Sequence, residues 1–273
     1  MYEDFIPELL LDIPISIRGQ DTVLLIDGDI FMYKCSSPKQ INGEVVEEDT
    51  LELAISKFNN WLKTLINNTK SNNYIGFLTG KSNYRYSIYP EYKANRKGKP
   101  KPQHLSALRD YAINQYGFIV SEGVEADDML AIAHTVLINS EYKPIIVTSD
   151  KDLSTNPCTI YNLFKDEYNE VSEYHAWYKL NYQLVVGDTV DNVKGISGKG
   201  EKAALAILTD TSLSDWTSSI IKEYISVYKE EGLKEYWKNF QLLRIINTPS
   251  EYKSITGNNY PNIINLIKQL NIE

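Results

Sequence analysis

A chain of 273 residues that is 42% apolar can bury a sizeable core, which excludes a disordered chain and allows one large domain or a main domain with a small satellite. No stretch reaches the roughly 18 apolar residues of a membrane span, and acids interrupt the first apolar run (Glu3, Asp4, Glu8, Asp12), so a soluble cytoplasmic protein is expected. The two cysteines, Cys35 and Cys158, stand far apart, which argues against a disulfide framework and a zinc site, and the net charge of −8 argues against a uniformly basic nucleic-acid surface while leaving a local one open.

In chain order, Thr22–Asp27 is a β-branched and aliphatic run ending in Asp27-Gly28-Asp29, which predicts a buried strand opening into a loop. Similar runs follow at Tyr74–Thr79, Gly117–Val120, Pro144–Thr148 and Cys158–Tyr161. Between them, Leu51–Ile66, Gln103–Tyr116 and Glu125–Ile138 carry apolar residues at spacings of three and four, the period of a helix. Alternating strands and helices predict an α/β fold with a mostly parallel central sheet flanked by helices, and in such sheets ligands sit at the carboxyl ends of the strands. Asp27 and Asp150 fall at those ends. Lys93–Pro102, rich in Lys, Gly and Pro, predicts a mobile loop or a segment that orders on binding. From about Ser172 helical patterns take over, as in Leu213–Tyr228, Leu233–Ile246 and Ile263–Leu270. The expected division is an α/β core over 1–175, containing a basic segment around 81–102, and a helical region over 176–273 with a glycine turn at 195–200.

The acids carry the chemistry. Glu125, Asp127 and Asp128 open a predicted helix, where the backbone dipole favours them and capping alone would account for them. Asp150 and Asp152 follow an apolar strand directly, where uncompensated carboxylates are costly, and Asp188 and Asp191 form a further pair among turn residues. Together with Asp27 these eight acids equal the whole net negative charge. Clustered carboxylates without histidines or thiolates make hard oxygen sites suited to Mg²⁺ or Mn²⁺, and two such ions can hydrolyse a phosphodiester. His104, His134 and His175 show no ligand spacing.

Two further segments bear on phosphate. Gly195, Gly198 and Gly200 sit in a tight turn before a helix, where backbone N–H groups can approach an anion, a pattern that reads as a duplex clamp. A nucleotide-binding P-loop is excluded there because Val193 stands at its first glycine and Gly200 at its Ser or Thr; Gly80-Lys81-Ser82 fails because Ile75 stands at the glycine position. No nucleotide cofactor is therefore expected. Lys81 to Lys101 holds seven basic residues against one acid, and Arg85–Arg96 interleaves tyrosines with cations, as a surface for single-stranded nucleic acid would. Core tyrosines under a solvated strip are the competing reading in a chain with 20 Tyr.

The ordered motifs Leu24-Leu-Ile-Asp-Gly28, Tyr92-Lys-Ala-Asn-Arg96, Val124-Glu-Ala-Asp-Asp128, Ser149-Asp-Lys-Asp152 and Gly187-Asp-x-x-Asp-Asn192, followed by the glycine turn, resemble the 5′-nuclease or flap endonuclease family, particularly the free-standing enzymes of bacteriophages. The resemblance runs from about residue 22 to 205. It implies a PIN-like nuclease core with a helix-three-turn-helix module, a monomer acting in DNA replication or repair on DNA with 5′ ends, flaps or nicks, and RNA–DNA hybrids as a further substrate. It implies two Mg²⁺ ions, replaceable by Mn²⁺, held by Asp27, Glu125, Asp127, Asp128, Asp150, Asp152, Asp188 and Asp191. Lys93 and Arg96 would contact the scissile phosphate. Arg85 and Tyr92 would contact DNA, Tyr92 by stacking on a base. The turn at Gly195, Gly198 and Gly200 would grip the duplex around a K⁺ ion, with Lys199 and Lys202 adding phosphate contacts. The sequence departs from the family after Tyr74–Leu78, where Thr79 stands in place of a customary Asp; Asp29 is the candidate to compensate. An RNase H-like 5′-nuclease on RNA–DNA hybrids or a toxin-like PIN ribonuclease, and a structure-specific DNA-binding protein without catalysis, are the competing readings.

Overall fold

The computed structural model describes residues 21–41, 44–45 and 49–270. Strand β1 (Thr22–Asp27) runs straight into helix α1 (Gly28–Ser36), so the loop expected after Asp27 is a helix start. The Asp27 side chain itself caps that helix by accepting a hydrogen bond from the Ile30 amide at 3.3 Å. A short hairpin of β2 (Gln40–Ile41) and β3 (Glu44–Val45) leads to α2 (Leu51–Thr69), capped by Thr50. Strand β4 (Tyr74–Leu78), the short α3 (Arg85–Ile88), α4 (Leu105–Tyr116), β5 (Ile119–Val120), α5 (Ala126–Ile138) and β6 (Lys143–Val147) follow. Strands β7 (Cys158–Asn162) and β8 (Glu167–Val171) complete a six-stranded sheet in the order β5-β4-β1-β6-β7-β8. All of its pairings are parallel except the β7–β8 edge.

The expected α/β sheet is the observed one. Strand β1 lies at its centre, and its alternating side chains feed two cores. Val23 and Leu25 pack with Met129, Ala133 and Leu137 of α5, whereas Leu24 and Ile26 pack with residues of α1, α2 and α4, including Phe31, Phe58 and Leu108. Both faces are covered, which explains the unbroken apolar run that the sequence shows here.

Helix α6 (Glu173–Val186) leads out of the sheet into a two-stranded ribbon, β9 (Gly187–Asp188) with β10 (Val193–Lys194), and then into α7 (Glu201–Asp210), α8 (Trp216–Tyr228) and α9 (Gly232–Leu243). Their core gathers Leu180, Leu184, Ile196, Ala204, Trp216 and Tyr224. The last helices, α10 (Pro249–Thr256) and α11 (Ile263–Leu270), return to the sheet: Ile246, Tyr252, Ile263 and Ile267 belong to the core on the α5 side. The Tyr260 hydroxyl donates to the Met129 carbonyl at 2.7 Å.

Candidate metal centre and nucleic-acid interface

The carboxyl ends of β1 and β6, the first turn of α5 and the β9 ribbon bring the acids to one edge of the sheet. They fall into two sets. Asp27, Asp127, Asp150, Asp152 and Asp188 crowd one another, whereas Glu125, Asp128 and Asp191 are matched by cations.

In the first set, Asp27 is 3% exposed and accepts from the Thr148 hydroxyl at 2.7 Å. Burial, with the nearby Asp29 and Asp150 carboxylates, pushes its pKa up to about 7 against the Thr148 hydrogen bond. Burial likewise raises Asp127, reinforced by Asp27, Asp150 and Glu125. Burial and Asp150 raise Asp152, although Lys179 approaches it at 3.5 Å. Asp150 accepts from the Asp152 amide at 2.9 Å, which fixes the strand-end turn. The Asp188 carboxylate accepts from the Val190 amide at 2.8 Å and from the Gln183 amide group at 3.3 Å. Among the described residues no three acidic, histidine or cysteine side chains converge closely enough to enclose a metal by themselves. The donor set still fits a hydrated hard cation, since Mg²⁺ retains several waters and needs only one or two direct carboxylates. Carboxylates that raise one another's pKa values are short of positive charge.

The second set is differently placed. Asp128 is fully buried, and its four acceptor positions are filled: Arg85 Nη1 at 2.7 Å, Arg85 Nη2 at 2.9 Å, the Glu125 amide at 3.0 Å and the Ile246 amide at 3.1 Å. It has no lone pair left for a metal and is corrected to a structural residue. Arg85, 2% exposed, also donates to the Leu242 carbonyl at 3.1 Å and the Arg244 carbonyl at 2.8 Å. The expected DNA contact from Arg85 is therefore overturned: its guanidinium joins α3, α5 and the chain after α9. Tyr92 is also corrected. Its ring is 2% exposed, and its hydroxyl contacts Glu125 at 3.0 Å and Asp191 at 2.7 Å, so it presents no face to a base.

Lys93 adopts the left-handed conformation (φ 55°) and turns its ammonium to Glu125 at 2.5 Å and Asp191 at 3.5 Å. Burial raises the Glu125 carboxyl, but Lys93 and Arg85 more than offset it and hold the group below the usual range. For Asp191 burial prevails over Lys93 and Tyr92, and its pKa is raised. Arg96, at the rim, meets Asp191 at 2.7 Å. The start of the segment expected to be mobile is thus tied down, with the Lys93 amide on the Asp191 carbonyl at 2.9 Å and the Asn95 side chain on the Thr189 carbonyl at 2.8 Å.

Asp29 does not compensate for Thr79. Arg109 pairs with one of its oxygens and the Thr79 amide donates to the other at 2.9 Å, while Arg109 also donates to the Thr79 carbonyl at 2.6 Å. Arg109, Thr148 and Lys179 were invisible as site neighbours in the sequence. Arg109 and Lys179 lie within helical patterns, and only Thr148, beside Ser149-Asp150, carried a positional hint.

In the glycine turn, a Cβ on Gly195 would lie 2.2 Å from the Val185 carbonyl, and one on Gly187 (φ 81°) would lie 2.4 Å from the Gly195 amide. Only glycine permits these two backbones to touch. Gly198 and Gly200 face open space at the start of α7, whose first amides have no partner within the helix. Lys199 is paired with Glu223 at 2.8 Å, whereas Lys202 is exposed.

With this geometry in view, the family model for the 5′-3′ exonuclease N-terminal resolvase-like domain matches residues 22–177. The chain belongs to this 5′-3′ exonuclease family. The 5′-3′ exonuclease of Buchnera aphidicola is 27% identical over 207 residues, covering 68% of this chain and 69% of that one. The thermostable DNA polymerase I of Thermus thermophilus is 27% identical over 204 residues, covering 69% of this chain but 24% of the polymerase. The chain thus spans about a quarter of the polymerase relatives' length. The fold is shared with a bacteriophage T5 flap endonuclease, solved as a pseudo-enzyme–product complex with DNA and metal ions: TM-score 0.63 at 17% identity, covering 92% of this chain and all of that one (100%). No helix among the described residues is long and apolar enough to cross a membrane.

Proposed function

We propose that this member of the 5′-3′ exonuclease family is a divalent-metal-dependent 5′-nuclease that hydrolyses DNA at or near 5′ ends, nicks and flaps, leaving 5′-phosphate products. The observation that carries the reading is the group of mutually crowded carboxylates at the carboxyl ends of β1 and β6. Asp27, Asp127, Asp150, Asp152 and Asp188 would hold two Mg²⁺ ions, in part through water. When bound, such ions supply an activated water and neutralise charge on the leaving oxygen. Glu125 and Asp191 would act from the rim, where they pair with Lys93 and Arg96 and orient both cations towards the site. Arg96, with a side chain 48% exposed, would meet an incoming phosphate, with Lys93 behind it.

The chain divides in this reading into a nuclease core over 1–175, with the basic segment 81–102 as its arch, and a helical duplex-binding region from 176, whose last two helices brace the core. Gly198, Gly200 and Lys202 would grip the duplex backbone, and dependence of duplex affinity on K⁺ tests whether that turn holds a potassium ion.

The test is a 5′-labelled flap, nicked duplex or RNA–DNA hybrid, incubated with Mg²⁺ or with chelator. Metal-dependent release of short product is expected from the native chain and not from Asp150→Ala, with DNA affinity in chelator retained by the variant. Binding without cleavage under all metal conditions would instead assign a structure-specific DNA-binding protein.

A further inference from the structure

The aromatic surface that the sequence places in the arch is only partly available, because Tyr92 is buried on the acids while Tyr86 is 45% exposed. A different one exists on α6. Tyr174, Tyr178 and Tyr182 recur every fourth residue and form a column with ring centroids 6.3 Å apart at both steps and interplanar angles of 26° and 21°. We propose that this tyrosine column is a stacking platform for unpaired bases of a nucleic-acid strand whose phosphate enters the carboxylate site; the inference rests on the nuclease reading for the second half of that statement only.

Three observations support it. First, the column is open: Tyr174 is 52% exposed and the other two rings are half-buried. Second, it is continuous with the acids. The adjoining stripe of the same helix face carries Lys179, whose ammonium lies 3.5 Å from Asp152, and Gln183, which donates to Asp188 at 3.3 Å. A strand lying on the tyrosines is therefore within one helix face of the carboxylates, and Lys179, with the exposed Lys151 between Asp150 and Asp152, supplies positive charge at the crossing. Third, the three rings recur at one helical turn and lie within 26° of parallel, a row of like-oriented aromatic rings on one stripe of the helix.

Cover for the buried Trp216 explains only part of the column. Tyr174 and Tyr178 approach Trp216 at 5.8 and 5.9 Å, and Tyr178 and Tyr182 pack against the core of the helical region, but covering a core needs apolar area, which Leu would provide as well. Accessible aromatic rings beside positive charge are what sequence-tolerant base stacking uses.

The experiment measures fluorescence anisotropy of a labelled single-stranded oligothymidylate and of a blunt duplex, both in chelator so that nothing is cut. Replacing all three tyrosines by Leu is expected to weaken the single strand about tenfold or more, as stacking losses of this kind do, and to leave the blunt duplex unchanged. The three Tyr→Phe changes keep the π faces and are expected to preserve binding. Should the triple Leu variant fold poorly, Tyr174→Leu alone, at the exposed end, is expected to weaken the single strand severalfold. Unchanged single-strand affinity in the folded Leu variants overturns the proposal, as does equal loss in the Phe variant. A change in sedimentation without a change in affinity would give the face to a second copy of the chain and overturn it too. Metal-dependent cleavage of a nicked duplex is scored separately: cleavage with no effect of the Leu changes sinks the platform alone, and a Leu effect without cleavage sinks the nuclease reading alone.

Discussion

Replacing Asp128 by Asn separates a structural carboxylate from a metal ligand. The amide keeps the size of the side chain but turns a donor towards a site that is all donors: two Arg85 nitrogens and the amides of Glu125 and Ile246. Arg85 is left with only the more distant Glu125 carboxylate at 3.7 Å, and breaking one side of a buried pair costs about 3–5 kcal/mol. Of a total stability of about 5–15 kcal/mol, that is a large part, and at about 2–4 °C per kcal/mol it lowers the melting temperature by about 10 °C. Urea and thermal unfolding in chelator measure it with any metal contribution removed. The loss should appear in full under those conditions. An Asp128→Asn variant that unfolds within about 0.5 kcal/mol of the native chain in chelator, and that needs more metal for cleavage, would refute the reasoning and return Asp128 to the metal ligands.

Lys93→Met should lower cleavage by two orders of magnitude or more, a typical effect of losing a transition-state donor, and should raise the Glu125 pKa by removing its main cation; carboxylate titration by NMR reads the second effect independently of activity. Gly195→Ala forces a Cβ to 2.2 Å from the Val185 carbonyl and should destabilise the chain by about 1–3 kcal/mol or more, whereas Gly198, which faces open space, should bear Ala at the cost of its left-handed backbone alone. In chelator, stability should fall as pH rises from about 4 to 7: the native chain keeps on Asp27 a proton that the unfolded chain releases, a cost on the order of 4 kcal/mol once fully developed. Mg²⁺ should reverse that fall, and stability rising with pH in chelator would show that the Asp27 environment has been misread.

The sheet was legible because β1, β4 and β6 are buried on both faces and so appear as unbroken apolar runs. The ends of β1 and β6 located Asp27 and Asp150 for the same reason. What the sequence could not rank was one acid against another. Asp127 and Asp128 are neighbours of identical chemistry, yet one faces the other carboxylates and the other faces Arg85, a partner 43 residues away. Tyr92 and Arg85 sit in a strip whose composition suits nucleic acid, and only the fold shows both turned inward. Helix α1 was missed because Asp27-Gly28-Asp29 has turn composition, although an Asp cap followed by Gly and Asp also suits a helix start.

The division into two sets also bears on how an acidic chain can meet a polyanion. Arg85, Lys93 and Arg96 of the basic segment are matched one for one to Asp128, Glu125 and Asp191, while Lys81, Lys97, Lys99 and Lys101 of the same segment stay exposed. Five acids remain. Burial first, and neighbouring carboxylates second, raise the pKa values of Asp27, Asp127 and Asp152. Lys179 beside Asp152 offsets one of the five, and two divalent ions, as proposed above, would offset the other four. On that count the pocket alone carries no excess negative charge once loaded. Phosphate would then meet Arg96 at a neutral site, and the chain need not be basic overall to bind a polyanion.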